Sequence, residues 1–313
     1  MKSKKRYFLS GILAHLYQRT QDGFLLFYND IDYLVYFTIM CIVAPRYDIH
    51  VITSCQMPDH THSGVVAQRF RDLASFMRDT SMWYARYGQA PQMKRGAPLY
   101  DTRHYGSAMK IGAKKARTNI VYIGNNPVER RLVKTAEEYR WNFLAYGKDN
   151  HPFSVPLVVR NATCEMKKAI SEVKDTRGRE YPLSYTQMKR LLSRLDAIEA
   201  EQLIDYAVST YSVIDYETAA SFFDSYDDMI GAMHYNTGSE YDINEVFVGR
   251  SDACYAEIST WLKQNLRIKD VHDVFLMDED ARVELLFDVH RGIGADPKQI
   301  AKYLRLKAEG RFR

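Results

Sequence analysis

The chain has 313 residues, is 46% hydrophobic and carries a formal net charge of +4, which suggests two domains with apolar content enough for sizeable cores. Its four cysteines (Cys41, Cys55, Cys164 and Cys254) have no paired spacing, which argues against a zinc knuckle or disulfide framework and for reduced thiols in a cytoplasm. The longest apolar run, Tyr33 to Ala44, is 12 residues, too short to span a bilayer.

The small overall charge hides an asymmetry. Residues 1–150 hold 22 Lys and Arg against 12 Asp and Glu, a net of +10, whereas residues 151–313 come to −6. A basic half with interspersed aromatics is the electrostatic footprint of a polyanion binder.

In chain order, Lys2 to Arg6 followed by Phe8 to Leu13 imitates a signal peptide. His15, Gln18 and Arg19 interrupt it, so residues 7–18 are expected to form a first strand. A turn at Asp22-Gly23 precedes an apolar stretch at 24–28. Residues 32–44 are expected to form a helix, capped by Asp30 or Asp32 and stopped by Pro45. Strands are expected at 47–54 and 61–67, then a helix over 70–87 with Phe70, Leu73, Phe76, Met77 and Trp83 at helical spacing. A basic loop (88–98) leads to a hairpin or strand near 99–111 and a helix ending near Pro127. This order suits an α+β fold, an antiparallel sheet covered on one face by helices.

A proline-containing linker at 151–159 separates the basic half from a mostly helical, acidic remainder, 151–313, with helical segments at 162–175, 184–195, 196–208, 215–231, 251–266 and 278–292. Within 281–306, two helices and a turn are similar to the first part of a helix-turn-helix or to an ordinary helical hairpin.

Two segments carry chemistry. His60 and His62, two apart on a strand, project to one side and can share a divalent metal. Tyr122 and Asn126, four apart on a helix, present a phenol and an amide on one face. Taken singly, each pattern equally describes incidental histidines, or a core tyrosine above a helix-capping asparagine.

Together, in this order, they resemble a known family. Met57-Pro58-Asp59-His60-Thr61-His62 is similar to the Met-Pro-Asn-His-x-His signature of the single-tyrosine HUH transposases. With Tyr122 to Val128, it resembles more narrowly the REP-associated tyrosine transposases, whose Tyr-x-x-x-Asn-Pro-Val segment carries the nucleophile. Phe24 to Phe27, Asp32 to Leu34, Arg131 to Val133 and Tyr139 to Trp141 extend the resemblance over roughly residues 7–147. Asp59 stands where the family has Asn, Thr61 where it has a hydrophobic residue, and Ser63-Gly64 where it has a bulkier pair.

The resemblance implies an RRM/ferredoxin-like sheet in an HUH catalytic domain (1–150) and a transesterification on single-stranded, hairpin-forming DNA. Tyr122 would be the nucleophile forming a 5′-phosphotyrosine, and His60, His62 and Asn126 would hold Mg²⁺ or Mn²⁺. Lys110, Lys114, Lys115 and Arg117 would position backbone phosphates, or simply form a solvated face. Tyr84 is a rival nucleophile, disfavoured because the position four residues on is Gly88, which cannot ligate a metal. His15, His50 and His104 are expected to be ordinary. The alternative function is a domesticated or inactive DNA-binding regulator. No membrane association is expected, and monomer or homodimer stays open.

Overall fold

The computed structural model describes residues 7–94, 99–100, 105–234 and 251–307. His104 and part of the basic loop at 88–98 lie outside the described residues. Four strands, β1 (Ala14–Arg19), β2 (His50–Met57), β3 (His60–Val66) and β4 (Gly106–Met109), form one sheet in the order β2-β3-β1-β4. Every neighbouring pair is antiparallel. With α1 (Asp30–Arg46) between β1 and β2, and α2 (Phe70–Trp83) between β3 and β4, this is the expected ferredoxin-like plan. A third helix, α3 (Ala113–Glu129), follows β4.

Register decides what each face carries, because directly opposed residues share a face. His62 lies opposite Tyr17 on one side and Cys55 on the other, and His60 opposite Arg19 and Met57. The intervening residues face the other way and meet the first two helices. Tyr36 of α1 reaches Thr61 (3.3 Å between hydroxyls), and Gln18 donates to Ser81 of α2 at 2.8 Å. α3 lies over the histidine face, where Tyr122 and Ile123 pack with Cys55 and Met57.

α1 begins at Asn29, whose side chain accepts from the Asp32 backbone at 3.2 Å. Thirteen consecutive residues, Asp32 to Ala44, are buried. A helix apolar all round needs cover on every side, and the acidic half supplies it. Eight further helices follow: α4 (Cys164–Gly178), α5 (Tyr185–Leu192), α6 (Ala197–Tyr211), α7 (Tyr216–Ala220), α8 (Tyr226–His234), α9 (Cys254–Leu266), α10 (Glu279–Ile293) and α11 (Pro297–Tyr303). Met166, Ala169, Leu203 and Val208 share one core cluster with Phe37 and Ile39. The change in sequence character near residue 150 is thus not a break in packing. α10 and α11 coincide with the suggested helix-turn-helix start, and Ile300, Ala301 and Tyr303 of α11 are buried with Leu25 and Tyr28. No helix among the described residues is long and apolar enough to cross a membrane.

Some local details differ. Pro45 does not end its helix at Ala44 but sits in the last turn of α1, which runs on to Arg46, whereas α3 ends near Pro127 as expected, at Glu129. The expected helix over 70–87 is α2 followed by a π-helical turn, Tyr84–Gly88. In the apolar 24–28 stretch, Leu26 and Phe27 donate their N–H groups to the Pro58 carbonyl at 2.7 and 3.0 Å, bracing the turn before His60.

Gly64 leaves room for Thr53, its partner on β2, on the face that α3 covers. A Cβ there would lie 2.7 Å from Thr53 Cγ2 and 3.5 Å from Ile123 Cδ1. Gly64→Ala is expected to lower unfolding free energy by about 1–3 kcal/mol through overpacking; urea denaturation measures it, and an unchanged midpoint would contradict the close approach.

Candidate active site under the third helix

β3 delivers His60 and His62, and α3 delivers Tyr122 and Asn126 one turn apart. The structure brings all four together. Tyr122 meets the His62 ring edge-on with centroids 5.5 Å apart, and the two histidine rings lie 4.8 Å apart, nearly perpendicular. Asn126 Nδ2 is 3.3 Å from His62 Nε2. The Tyr17 ring lies beside both imidazoles, at 5.4 Å from His60 and 5.0 Å from His62.

The sequence reading missed His15. It projects from β1 onto this same face, with Nε2 2.9 Å from His62 Nδ1 and its ring 5.8 Å from Tyr122. Its position follows from the β1–β3 register, Tyr17 opposite His62, which no local pattern announces. Both ring nitrogens of His62 are thus contacted, Nε2 by the Asn126 amide and Nδ1 by His15. Burial, then the nearby His60 and His15, hold His62 well below its ordinary range. Burial, with Lys110 and His60, brings His15 down to about 3. Both are therefore neutral imidazoles at physiological pH, and the neutral ring is the one that ligates metals.

His60 is anchored by Asp59, whose carboxylate lies 2.5 Å from Nδ1 and also pairs with Lys302 of α11. Burial opposes that charge, but His60 and Lys302 keep the Asp59 carboxyl well below the usual carboxylate range. This orients the ring by a carboxylate on one nitrogen while the other faces the site. His60 Nε2 and Asn126 Oδ1 are buried and have no hydrogen-bond partner among the described residues. Buried polar atoms without a partner are costly unless something occupies them. Two imidazole nitrogens and an amide oxygen fit a divalent cation such as Mg²⁺ or Mn²⁺. Among the described residues, no three His, Cys, Asp or Glu side chains are arranged to hold a metal, so the third donor would have to be the amide.

The site is closed to solvent: His60, His62, Tyr122 and Asn126 are all 3% exposed or less. Asp252 lies near the His60 side and is itself buried. Its burial, with Asp59 nearby, pushes its carboxyl up to about 6.

The remaining expected residues fall elsewhere. Tyr84 is in the core on the α1 side, its hydroxyl donating to the Leu26 carbonyl at 3.1 Å and its ring against Phe27 and Tyr36. Lys114, Lys115 and Arg117 are exposed at the start of α3, with the Arg117 guanidinium 5.8 Å from the Phe223 ring centroid. From Lys114 to Tyr122 is about 12 Å along the helix axis. Lys110 is half-buried and its N–H donates to Leu13.

No known family profile and no curated protein matches the chain. Among solved structures, the chain is distantly similar to a REP-associated tyrosine transposase bound to a REP hairpin. The alignment has 13% identity and a TM-score of 0.38, and covers 47% of this chain and 87% of that one.

Proposed function

We propose that this chain cleaves and rejoins single-stranded, hairpin-bearing DNA, with Tyr122 as nucleophile and His60, His62 and Asn126 as the holders of Mg²⁺ or Mn²⁺. The observation that carries the reading is the convergence of a phenol, two imidazoles and an amide from separate elements on one sheet face. Tyr122 Oη attacks the scissile phosphorus, the bond to the 3′ oxygen breaks, and the products are a 5′-phosphotyrosine and a 3′-hydroxyl. The phosphodiester is exchanged rather than hydrolysed, so the same atoms run the step backwards and no nucleotide triphosphate is needed. His60, His62 and Asn126 would hold the cation, which would supply Lewis-acid stabilisation of the phosphate's developing charge. The chain's own part is orientation: His15 braces His62, Asp59 fixes His60, and α3 carries nucleophile and amide on one rigid face. Lys114, Lys115 and Arg117 extend that face outward as contacts for backbone phosphates.

The burial of all four groups means that a covering element must yield before a strand enters. That same burial favours a second reading, a DNA-binding regulator that keeps the fold without cleaving. One assay separates them. Incubating the chain with hairpin-bearing single-stranded DNA and Mn²⁺ is expected to give an SDS-resistant adduct, which EDTA abolishes and His60→Ala or His62→Ala lowers roughly 100-fold or more. DNA binding with no adduct under any divalent cation would select the regulator.

A further inference from the structure

Beside the turn that presents His60, a cleft of about 370 Å³ opens between the start of α1, the segment after α3 and the outer face of α9. Its volume lies in the range of small-molecule sites. Its walls are aromatic and fixed in place. Tyr33 and Trp141 stack at 5.0 Å with their planes 10° apart, Trp141 Nε1 donates to Asp30 at 3.3 Å, and Tyr139 donates to the Gln56 carbonyl at 2.9 Å. Tyr255 of α9 closes the far side.

The buried carboxylate of this cleft is Asp252. It is 6% exposed, and its Oδ2 has no hydrogen-bond partner among the described residues. Its backbone N–H is held by the Arg130 carbonyl at 3.1 Å, directly after the end of α3. Pro58, which immediately precedes Asp59 and His60, also lines the cleft. The cleft thus joins the two segments that deliver the candidate nucleophile and metal ligands.

We propose that this cleft receives one unstacked nucleobase of the DNA strand next to the scissile phosphate. The inference rests on the single-strand cleavage reading and adds how the strand is held. Flat aromatic walls suit the π-face of any base, and an unpaired buried carboxyl oxygen suits a ring or exocyclic N–H. Asp252 inside and Asp30, exposed at the mouth, make the cleft acidic, which rejects a phosphate; Lys263, exposed at the rim, is where the attached backbone phosphate lies. Because Asp252 and Tyr255 come from the acidic half, the cleft gives that half a direct part in substrate recognition.

The test uses the full chain carrying Tyr122→Phe, so that binding alone is read. Labelled hairpin oligonucleotides with one abasic site at successive single-stranded positions are titrated by fluorescence anisotropy. One position is expected to lose roughly 5- to 150-fold in affinity, the range of a single base–aromatic stack. That loss should shrink to within about twofold in Asp252→Ala and in Tyr139→Leu, which remove the polar partner and one wall separately. Free deoxynucleosides, titrated against tryptophan emission with Trp141→Phe as control, read the cleft without any DNA binding. Saturable quenching that Asp252→Ala weakens supports the assignment. A flat abasic profile, a loss unchanged in both variants, or no response to any of the four nucleosides overturns it. A chain with the one-position dependence but no covalent adduct keeps the base site and loses the cleavage reading.

Discussion

Tyr122→Phe is expected to abolish covalent capture of DNA, by more than roughly 10⁴-fold as for loss of a nucleophile, and to retain non-covalent affinity for the same oligonucleotide. The substitution deletes one oxygen and keeps the ring that packs with Cys55, Met57 and Ile123 and against His15 and His62. The paired control is Tyr84→Phe. It removes the hydroxyl that donates to Leu26, which costs about 1 kcal/mol of stability and leaves adduct yield unchanged. Gel quantification of SDS-resistant adducts reads both, and the opposite pattern, with Tyr84 essential and Tyr122 dispensable, would reassign the nucleophile.

His272→Ala is expected to destabilise the fold by about 3–5 kcal/mol, because it leaves buried carboxylates without their cation. His272 Nε2 lies 3.0 Å from Asp32 of α1, and Nδ1 lies 2.7 Å from Asp270, which also takes Lys189 at 2.5 Å. The Tyr185 hydroxyl joins at 3.0 Å from the ring. Burial alone would lower His272, yet Asp32 and Asp270 outweigh it and raise the imidazole from 6.5 to about 9. A histidine raised on folding contributes fully below its unfolded value and loses that contribution as pH rises through the folded one. The window is therefore from pH 6.5 to about 9. Asp270 moves the other way: despite its burial, His272 and Lys189 hold it below 3.8, and its contribution fades as pH falls past that value. Urea unfolding of the parent chain should weaken across the upper window, and His272→Ala should be flat there. A variant within about 1 kcal/mol of the parent at pH 6 would mean that the network stabilises little. Since Asp32 also accepts the Tyr28 N–H at 2.8 Å, the network ties the acidic half to the start of α1.

What the sequence made legible was periodic or local. Strand alternation placed His60 and His62 on one face, a four-residue helical step placed Asn126 beneath Tyr122, and helical spacing or acidic starts marked the acidic half's helical segments, of which 215–231 is two helices, α7 and α8. What it hid was long-range. His15 enters the site only through the β1–β3 register, and the Asp59–Lys302 pair joins positions 243 residues apart. Asp252 reaches the cleft because the acidic half folds back beside the His60 turn. The extent of the shared core was visible in principle, since thirteen successive buried positions on α1 need packing on more sides than a single sheet offers.

The phenol's role can be read from the covalent product itself. After nuclease trimming and tryptic digestion, the peptide Thr118 to Arg130 contains Tyr122 as its single tyrosine, so mass spectrometry assigns the attachment without ambiguity. The expected result is this peptide carrying a nucleotide through a phosphodiester, with residue 122 as the modified position in fragment spectra. A nucleotide on any other peptide, or solely unmodified Thr118–Arg130 from the isolated adduct, contradicts the account.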